Sequence, residues 1–302
     1  MNKLFLPIFL GIMIILASCT DEYSNAKIEP DDLSKNQTVE LAVFENYNSS
    51  LPDNWTETRG WIDTKKFLTI VSADAKGAYS GWKWSEGQHI LVRIVISAVV
   101  GIGASCVAGL TYQGAPNIDQ SRLAINNLSE LCLIYQENPE IRESMDFNPP
   151  TIGIQLPAEF EQFEQIGILH NCGLYSMHNN IHPDGTPSID ISHELDSKYA
   201  YVNRYNHMLM HPQDVMLSTQ EWQTVFGEPI GVEDQVFDLF CYAIENKTNN
   251  VNEVVSVAND YIVLTDKSEL NANQKAAVIS GIVTMVYSAS YWSQISGIYD
   301  HI

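Results

Sequence analysis

Two sets of residues have types and spacings that could do chemistry. The first is a single thiol, Cys19, at the end of Leu16-Ala17-Ser18-Cys19. Lys3 supplies a basic start, and Leu4 to Leu16 is an apolar run too short and too early for a spanning helix. Small residues running straight into a cysteine form a lipobox, where the thiol takes a diacylglyceryl group and the leader is then cut between Ser18 and Cys19. Acyl chains at about 0.8 kcal/mol per buried methylene give stable anchoring. The reading is therefore a lipoprotein signal peptide over 1–18, with the bilayer as first partner through the acylated Cys19. An uncleaved anchor helix with a chance cysteine is the competing reading.

The second set is histidine. Six of the eight histidines fall between 170 and 211. His178 and His182 are four apart, as are His207 and His211, and each pair ends just before a proline. On a helix, imidazoles at i and i+4 face one way and can share a metal. Met208 and Met210 beside His207 and His211 add thioethers, which suit copper(I) better than zinc. Neither pair carries the internal glutamate of a metalloprotease, and surface or capping histidines explain the spacing equally well. No cofactor is expected on this reading, with zinc or copper as the alternative.

Ile166-Gly167-Ile168-Leu169-His170-Asn171-Cys172-Gly173-Leu174 is a different pattern. Gly167 suits a close helix crossing. His170 and Asn171 make a polar pair on a half-buried helix, either bonding backbone or flooring a site. Upstream stands Ala73-Asp74-Ala75-Lys76-Gly77-Ala78. Together the two segments resemble uncharacterised lipoproteins of the Bacteroidota, in which a Gly/Ala-rich stretch opening ADxxGA precedes an IGxxHNxxL motif. The matching residues are Ala73, Asp74, Gly77, Ala78, Ile166, Gly167, His170, Asn171 and Leu174. This chain departs by placing Trp, Lys and Glu where more Gly and Ala stand in that pattern. The resemblance implies kinship and an envelope location, and no activity. Thr20-Asp21-Glu22-Tyr23 resembles the surface-export signal of lipoproteins from the same phylum and tilts the location toward the outer membrane and its outer face.

The elements that must position these residues read as helical. The spacing of small residues is the clearest feature. Ala73, Gly77, Gly81 and Ser85 recur every four residues, and so do Ser97, Gly101, Ser105 and Gly109. Residues four apart stack on one helix face, and a Gly/Ser stripe lets a second helix approach closely. Each isolated glycine would cost a helix up to about 1 kcal/mol, which close packing offsets. Two readings follow: a hairpin buried in a soluble core, or a hairpin over 73–110 that enters a bilayer and makes the protein pore-forming. Ile94 to Leu110 is uncharged, about 26 Å if helical, at the lower limit of a span. Arg93 at its end could snorkel. Asp74, Lys76, Lys83 and Glu86 in the first stripe leave only the second able to span, and Trp82 and Trp84 fit an interface or a packed surface.

Elsewhere, residues 19–55 read as an acidic and polar tether with a short ordered piece near 39–47. Phe67–Val71 is a strand or a helix start. Asp119–Gln136 is helical, and Asn148-Pro149-Pro150 is a break. A helix from Leu156 carries Phe160, Phe163, Ile166 and Leu169 on one face. Residues 183–188 form a loop, and Ile191–Met210 is helical. Ser218 caps a helix with Glu221 three residues on. Gly231–Glu245, Val251–Leu264 and Leu270–Ile298 complete the series. The expected fold is mainly α, a bundle-like body with little β. Its domains are a small-residue helical region over 56–150 and a helical domain over 151–302, or both as one unit.

Sixteen basic residues face thirty-seven acidic ones, for a formal charge of −21, and loss of Lys3 with the leader makes it −22. Such a chain repels nucleic acid and anionic lipid heads; other envelope proteins are the remaining partners. Cys106, Cys132, Cys172 and Cys241 are widely spaced in apolar surroundings, with no CxxC, and read as packing residues or disulfides. There is no phosphate loop, dinucleotide fingerprint, GxSxG or HExxH. The function expected is a non-enzymatic surface-interaction or envelope-structure protein. A membrane-active protein and a metal-binding protein or metal-dependent enzyme built on the histidines are the alternatives.

Overall fold

A computed structural model describes residues 41–52, 64–113, 152–178, 204, 207–208, 211 and 217–299. The chain divides into two compact units, Met1–Thr38 and Val39–Ile302, and the described residues all lie in the second. They are mainly α-helical, as the sequence leads one to expect, with no strand among them. In chain order the helices are α1 (Thr64–Trp84), α2 (Ile90–Gln113), a 3-10 helix (Ala158–Phe163), α3 (Glu164–His178), α4 (Thr219–Phe226), α5 (Val232–Lys247), α6 (Val251–Lys267) and α7 (Ala272–Tyr299). A further helical segment covers 41–50.

α7 is the centre of this body. Every residue from Ala276 to Tyr291 is buried, and the helix packs against α1, α3, α5 and α6. Its sequence has no polar face, as a helix surrounded by others requires. Two of its hydroxyls are satisfied locally: Ser280 donates to the Ala277 carbonyl at 2.7 Å and Thr284 to the Ser280 carbonyl at 2.9 Å. One hydrophobic core joins Phe44, α1, α2, α3, α5, α6 and α7, so the described parts of 56–150 and 151–302 form a single unit. Phe67–Val71 lies inside α1. Phe160, Phe163, Ile166 and Leu169 are all buried.

The short ordered piece expected near 39–47 is helical over 41–50 and docks on the body. Phe44 is 1% exposed, Asn48 donates to the Leu239 carbonyl at 2.9 Å, and the Tyr261 hydroxyl donates to Asn48 Oδ1 at 2.8 Å. Tyr47 adds a second aromatic anchor: its hydroxyl donates to Asp260 Oδ2 at 2.8 Å and its ring meets Tyr261 edge-on. Arg93 does not snorkel. Its guanidinium lies 4.0 Å from the Trp82 ring centroid and donates to the Trp82 carbonyl at 2.8 Å. Burial lowers its pKa to about 10.

The two small-residue stripes face each other. A Cβ at Gly77 would lie 2.6 Å from the Val100 carbonyl oxygen and 2.9 Å from the Gly101 Cα; one at Gly81 would lie 3.0 Å from the Ser97 Cα. Side chains larger than hydrogen would therefore push α1 and α2 apart. Trp82 packs on Phe163 with centroids 4.6 Å apart, and Trp84 meets Trp222 and Phe226 edge-on. Among the described residues no helix is long and apolar enough to cross a membrane.

Ser218 and Glu221 form the expected capping box on α4: Glu221 N donates to Ser218 Oγ at 3.2 Å, and Ser218 N to Glu221 Oε2 at 2.8 Å. Asn271 similarly accepts from Gln274 N at 3.0 Å at the start of α7. Ser18, Cys19, the helix expected over 119–136, the 148–150 break, the 183–188 loop, Cys132 and the side chains of Cys106 and Cys172 lie outside the described residues, while Gly109 falls within α2. Of the helix expected over 191–210, positions 204, 207 and 208 are described, and they are helical. Cys241 is a free, buried thiol, and burial raises its pKa well above the usual value.

Candidate functional site

The two segments that carry the family resemblance are nearly a hundred residues apart and meet inside the body. Asp74 projects from α1 and His170 from α3, both with zero exposure. His170 Nε2 lies 3.4 Å from Asp74 Oδ2. Asn171 fixes the other face of the ring: its Nδ2 donates to the Tyr287 carbonyl at 2.8 Å, so its Oδ1 is turned to His170 Nδ1 at 3.1 Å. With the amide so oriented, Nδ1 carries a proton and Nε2 is the nitrogen presented to Asp74. α7 completes the centre. Ser288 Oγ lies 2.5 Å from Asp74 Oδ2, and Trp292 Nε1 donates to the same oxygen at 3.3 Å.

Glycines make this meeting possible. A Cβ at Gly101 on α2 would lie 3.1 Å from both the Asp74 carbonyl oxygen and His170 Cδ2. A Cβ at Gly167 would lie 2.3 Å from Tyr287 Cδ2. Tyr287 is held there by its hydroxyl, which donates to Glu164 Oε1 at 2.7 Å. Gly167 therefore brings α3 against α7, and one turn later His170 and Asn171 reach Asp74 and the α7 backbone. Ile166 and Leu174, the apolar ends of the motif, are buried.

An imidazole beside a carboxylate moves protons efficiently in an open cleft. Here both partners are fully enclosed, so no substrate reaches them in this conformation. What the arrangement does is tie α1, α3 and α7 together through polar contacts.

A second polar cluster lies between α1 and α5. Asp234 is fully buried at the start of α5 and accepts from the Tyr79 hydroxyl at 2.6 Å, Lys83 Nζ at 2.8 Å, Gln223 Nε2 at 3.3 Å and Gly231 N at 2.7 Å. Lys83 also reaches Glu233 at 3.0 Å, and Gln274 donates to Glu233 Oε2 at 2.7 Å. Tyr79 stacks on Phe237 with centroids 4.4 Å apart. Burial first, then Asp234 and Glu233, push its phenol well above the usual value.

His178 is the last residue of α3, and its side chain and His182 lie outside the described residues. The His207 and His211 rings stack with centroids 4.2 Å apart, and His207 meets Phe226 edge-on. Arg204 in the same segment pairs with Glu228 and lies over the Trp84 and Phe226 rings. Among the described residues no group of three or more His, Cys, Asp or Glu is arranged to hold a metal.

Sequence reasoning singled out His170 and Asn171 but not Ser288 and Trp292, the partners of Asp74, nor the Asp234 cluster. A charge within a stripe of small residues was the available signal for Asp74. No family model, curated protein or solved structure matches the chain.

Proposed function

We propose that this chain is an envelope-anchored bacterial lipoprotein, kin to the Bacteroidota lipoproteins it resembles. Its helical body is a non-enzymatic interaction or structural module. One observation carries the second half of this reading: His170 and Asp74, the groups best suited to chemistry, are closed off between helices with zero exposure. Buried polar contacts of this kind specify one packing of the helices and leave no reacting surface. The anchored half rests on Lys3, the apolar run and Leu16-Ala17-Ser18-Cys19. The outer membrane is the proposed location, and other envelope proteins are the proposed partners.

The test of anchoring is metabolic labelling with palmitate in the native host. Wild type is expected to take up label and partition with membranes, and Cys19→Ala to lose both. Unchanged labelling or partitioning of Cys19→Ala rules the anchor out. Liposome dye release by the delipidated chain addresses the membrane-active alternative. No leakage is expected at micromolar protein, because the small-residue stripes of 73–110 are occupied by each other.

A further inference from the structure

The proton count at the Asp74 centre does not balance with a neutral ring. Asn171 Nδ2 donates to the Tyr287 carbonyl, so Asn171 Oδ1 faces His170 Nδ1, and that nitrogen carries a proton. In a neutral imidazole Nε2 is then a bare lone pair. It stands 3.4 Å from Asp74 Oδ2, and both side chains have zero exposure. Two electron-rich atoms would oppose each other inside the body, where charge is poorly screened. Oδ2 already accepts from Ser288 and Trp292, while Asp74 Oδ1 and His170 Nε2 have no hydrogen-bond partner.

No other cation among the described residues neutralises this carboxylate. Residues 94–113 of α2 and 276–299 of α7 carry no charge. α3 contributes Glu164, a second acid, which accepts from the Tyr287 hydroxyl. On α1, Lys83 is paired with Asp234 and Glu233, and the charge of Lys76 is felt at Cys241 on α5 and Glu221 on α4. A buried carboxylate left alone is strongly disfavoured. A proton on Nε2 resolves both problems: the ring becomes a cation within ion-pair range of Oδ2. The carboxyl itself is the poorer place for that proton. On Oδ1 it would have no acceptor, and Oδ2 holds the two donors that suit an anion.

We infer that the Asp74 centre binds one proton, held as a His170 imidazolium against the Asp74 carboxylate, and that this proton locks the joint of α1, α3 and α7. The joint is then sensitive to pH. An unfolded chain gives up its imidazole protons at about pH 6.5, and the folded chain keeps this one. The pair's contribution is complete below that pH and is lost as pH rises, by up to about tenfold in the folding equilibrium per pH unit. This window lies below the one in which the Tyr79 phenol titrates. The lipid anchor plays no part in it.

The experiment uses the full mature chain in detergent, labelled with nitrogen-15 at histidine. At pH 7.5, where an ordinary imidazole is about nine-tenths neutral, His170 is expected to show imidazolium shifts, with protons on both ring nitrogens. In Asp74→Asn the same ring is expected to be neutral at that pH. A bare ring nitrogen on wild-type His170 at pH 7.5 overturns the inference, and so does an imidazolium that persists in Asp74→Asn. Unfolding followed from pH 6.5 to 8.5 gives the second reading. His170→Gln and Asp74→Asn are each expected to lose stability less steeply than wild type, by up to about tenfold in the folding equilibrium per pH unit. Equal slopes in all three chains also overturn it. Should neither variant fold, the wild-type spectrum decides alone, with His170 identified by the contact of its ring with Asn171.

Discussion

Asp74 and Asp234 are both carboxylates with zero exposure, both contacted from α1 or lying on it, and their surroundings differ in kind. Asp234 is saturated. A lysine, a tyrosine, a glutamine and a backbone N–H converge on its two oxygens, and its place in the first turn of α5 adds the helix dipole. Asp74 has both donors on one oxygen, and its other oxygen has no partner. The difference teaches what each carboxylate is for. A saturated buried charge gains back its lost hydration through direct bonds and contributes to stability as it stands. An unsaturated one with an equally unsatisfied imidazole beside it is a poor stabiliser by itself. It makes sense as a specificity device.

Removing Asp234 should have the largest effect. Asp234→Ala leaves Lys83 and Tyr79 facing each other without their common acceptor, so denaturant unfolding is expected to show a loss of about 3–5 kcal/mol. Lys83→Met removes the cation and keeps the packing of the stem, and is expected to cost somewhat less. If Asp234→Ala is as stable as wild type, saturation is not what distinguishes the two clusters.

The Asp74 centre is expected to answer differently, and the contrast appears in a double-mutant cycle. Asp74→Leu alone leaves Ser288 and Trp292 without their acceptor, and His170→Leu alone leaves Asn171 Oδ1 without its partner, so each is expected to lose about 3 kcal/mol. The double change removes both unsatisfied atoms together and is expected to lose less than either single change, because an apolar pair of similar volume suits a sealed site. Additive losses would mean that the two side chains do not act as a pair.

Tyr79→Phe sharpens the comparison through pH. Its hydroxyl donates to Asp234 at 2.6 Å, so at neutral pH the loss is expected to be about 1–2 kcal/mol. Its phenol titrates well above the ordinary value of 10 in the fold, because of burial and then Asp234 and Glu233. A group whose folded pKa is raised gives stability that is complete below its unfolded pKa and is lost as pH climbs above it. The Asp234 cluster should therefore weaken above pH 10. Tyr79→Phe should lose stability less steeply there than wild type in alkaline melts. An identical alkaline slope would show that Tyr79 does not titrate on unfolding.

Much of the fold was legible because its signals are periodic. The four-residue spacing of Gly77, Gly81 and Gly101 marks a close helix crossing wherever the helices end up, and the capping pattern of Ser218 and Glu221 is local. The helix boundaries at Val251 and near Leu270 follow from Asn250 and Asn271, whose side chains accept from N–H groups three residues on. The centre itself was half legible. His170 and Asn171 stood out as a polar pair in an apolar helix, and Asp74 as a charge in a small-residue stripe. Their meeting depends on how α1 and α3 cross α7, which no local pattern encodes. Ser288 and Trp292 were invisible for the same reason: within the largely apolar, buried stretch of α7 a serine reads as a small packing residue. The Lys83–Asp234 pair joins positions 151 apart in the chain, and a lysine at a helix end reads as exposed until its partner is known.

The smallest expected effect tests how far the saturated cluster extends. Ser218 caps α4, and α4 carries Gln223, which donates to Asp234 Oδ1 at 3.3 Å. Ser218→Ala removes the oxygen that receives the Glu221 N–H, for an expected loss of about 1 kcal/mol in thermal or denaturant unfolding. Glu221 supplies the pH signature. Hydrogen bonds from the Ser218 backbone and then its hydroxyl hold the Glu221 carboxyl below its usual 4.5. A depressed carboxyl contributes stability that is present above its unfolded pKa and is lost as pH falls through the folded one. Acid melts below pH 4.5 should thus show wild type and Ser218→Ala converging, because protonated Glu221 no longer closes the box in either. Hydrogen exchange gives the spatial readout. Faster exchange is expected along α4 and the first turn of α5, where Gly231 and Asp234 depend on Gln223, and no change at His170 and Asn171. If exchange rises equally at both places, the two carboxylates belong to one cooperative unit, and the distinction between a saturated and an unsaturated centre has no energetic boundary between them.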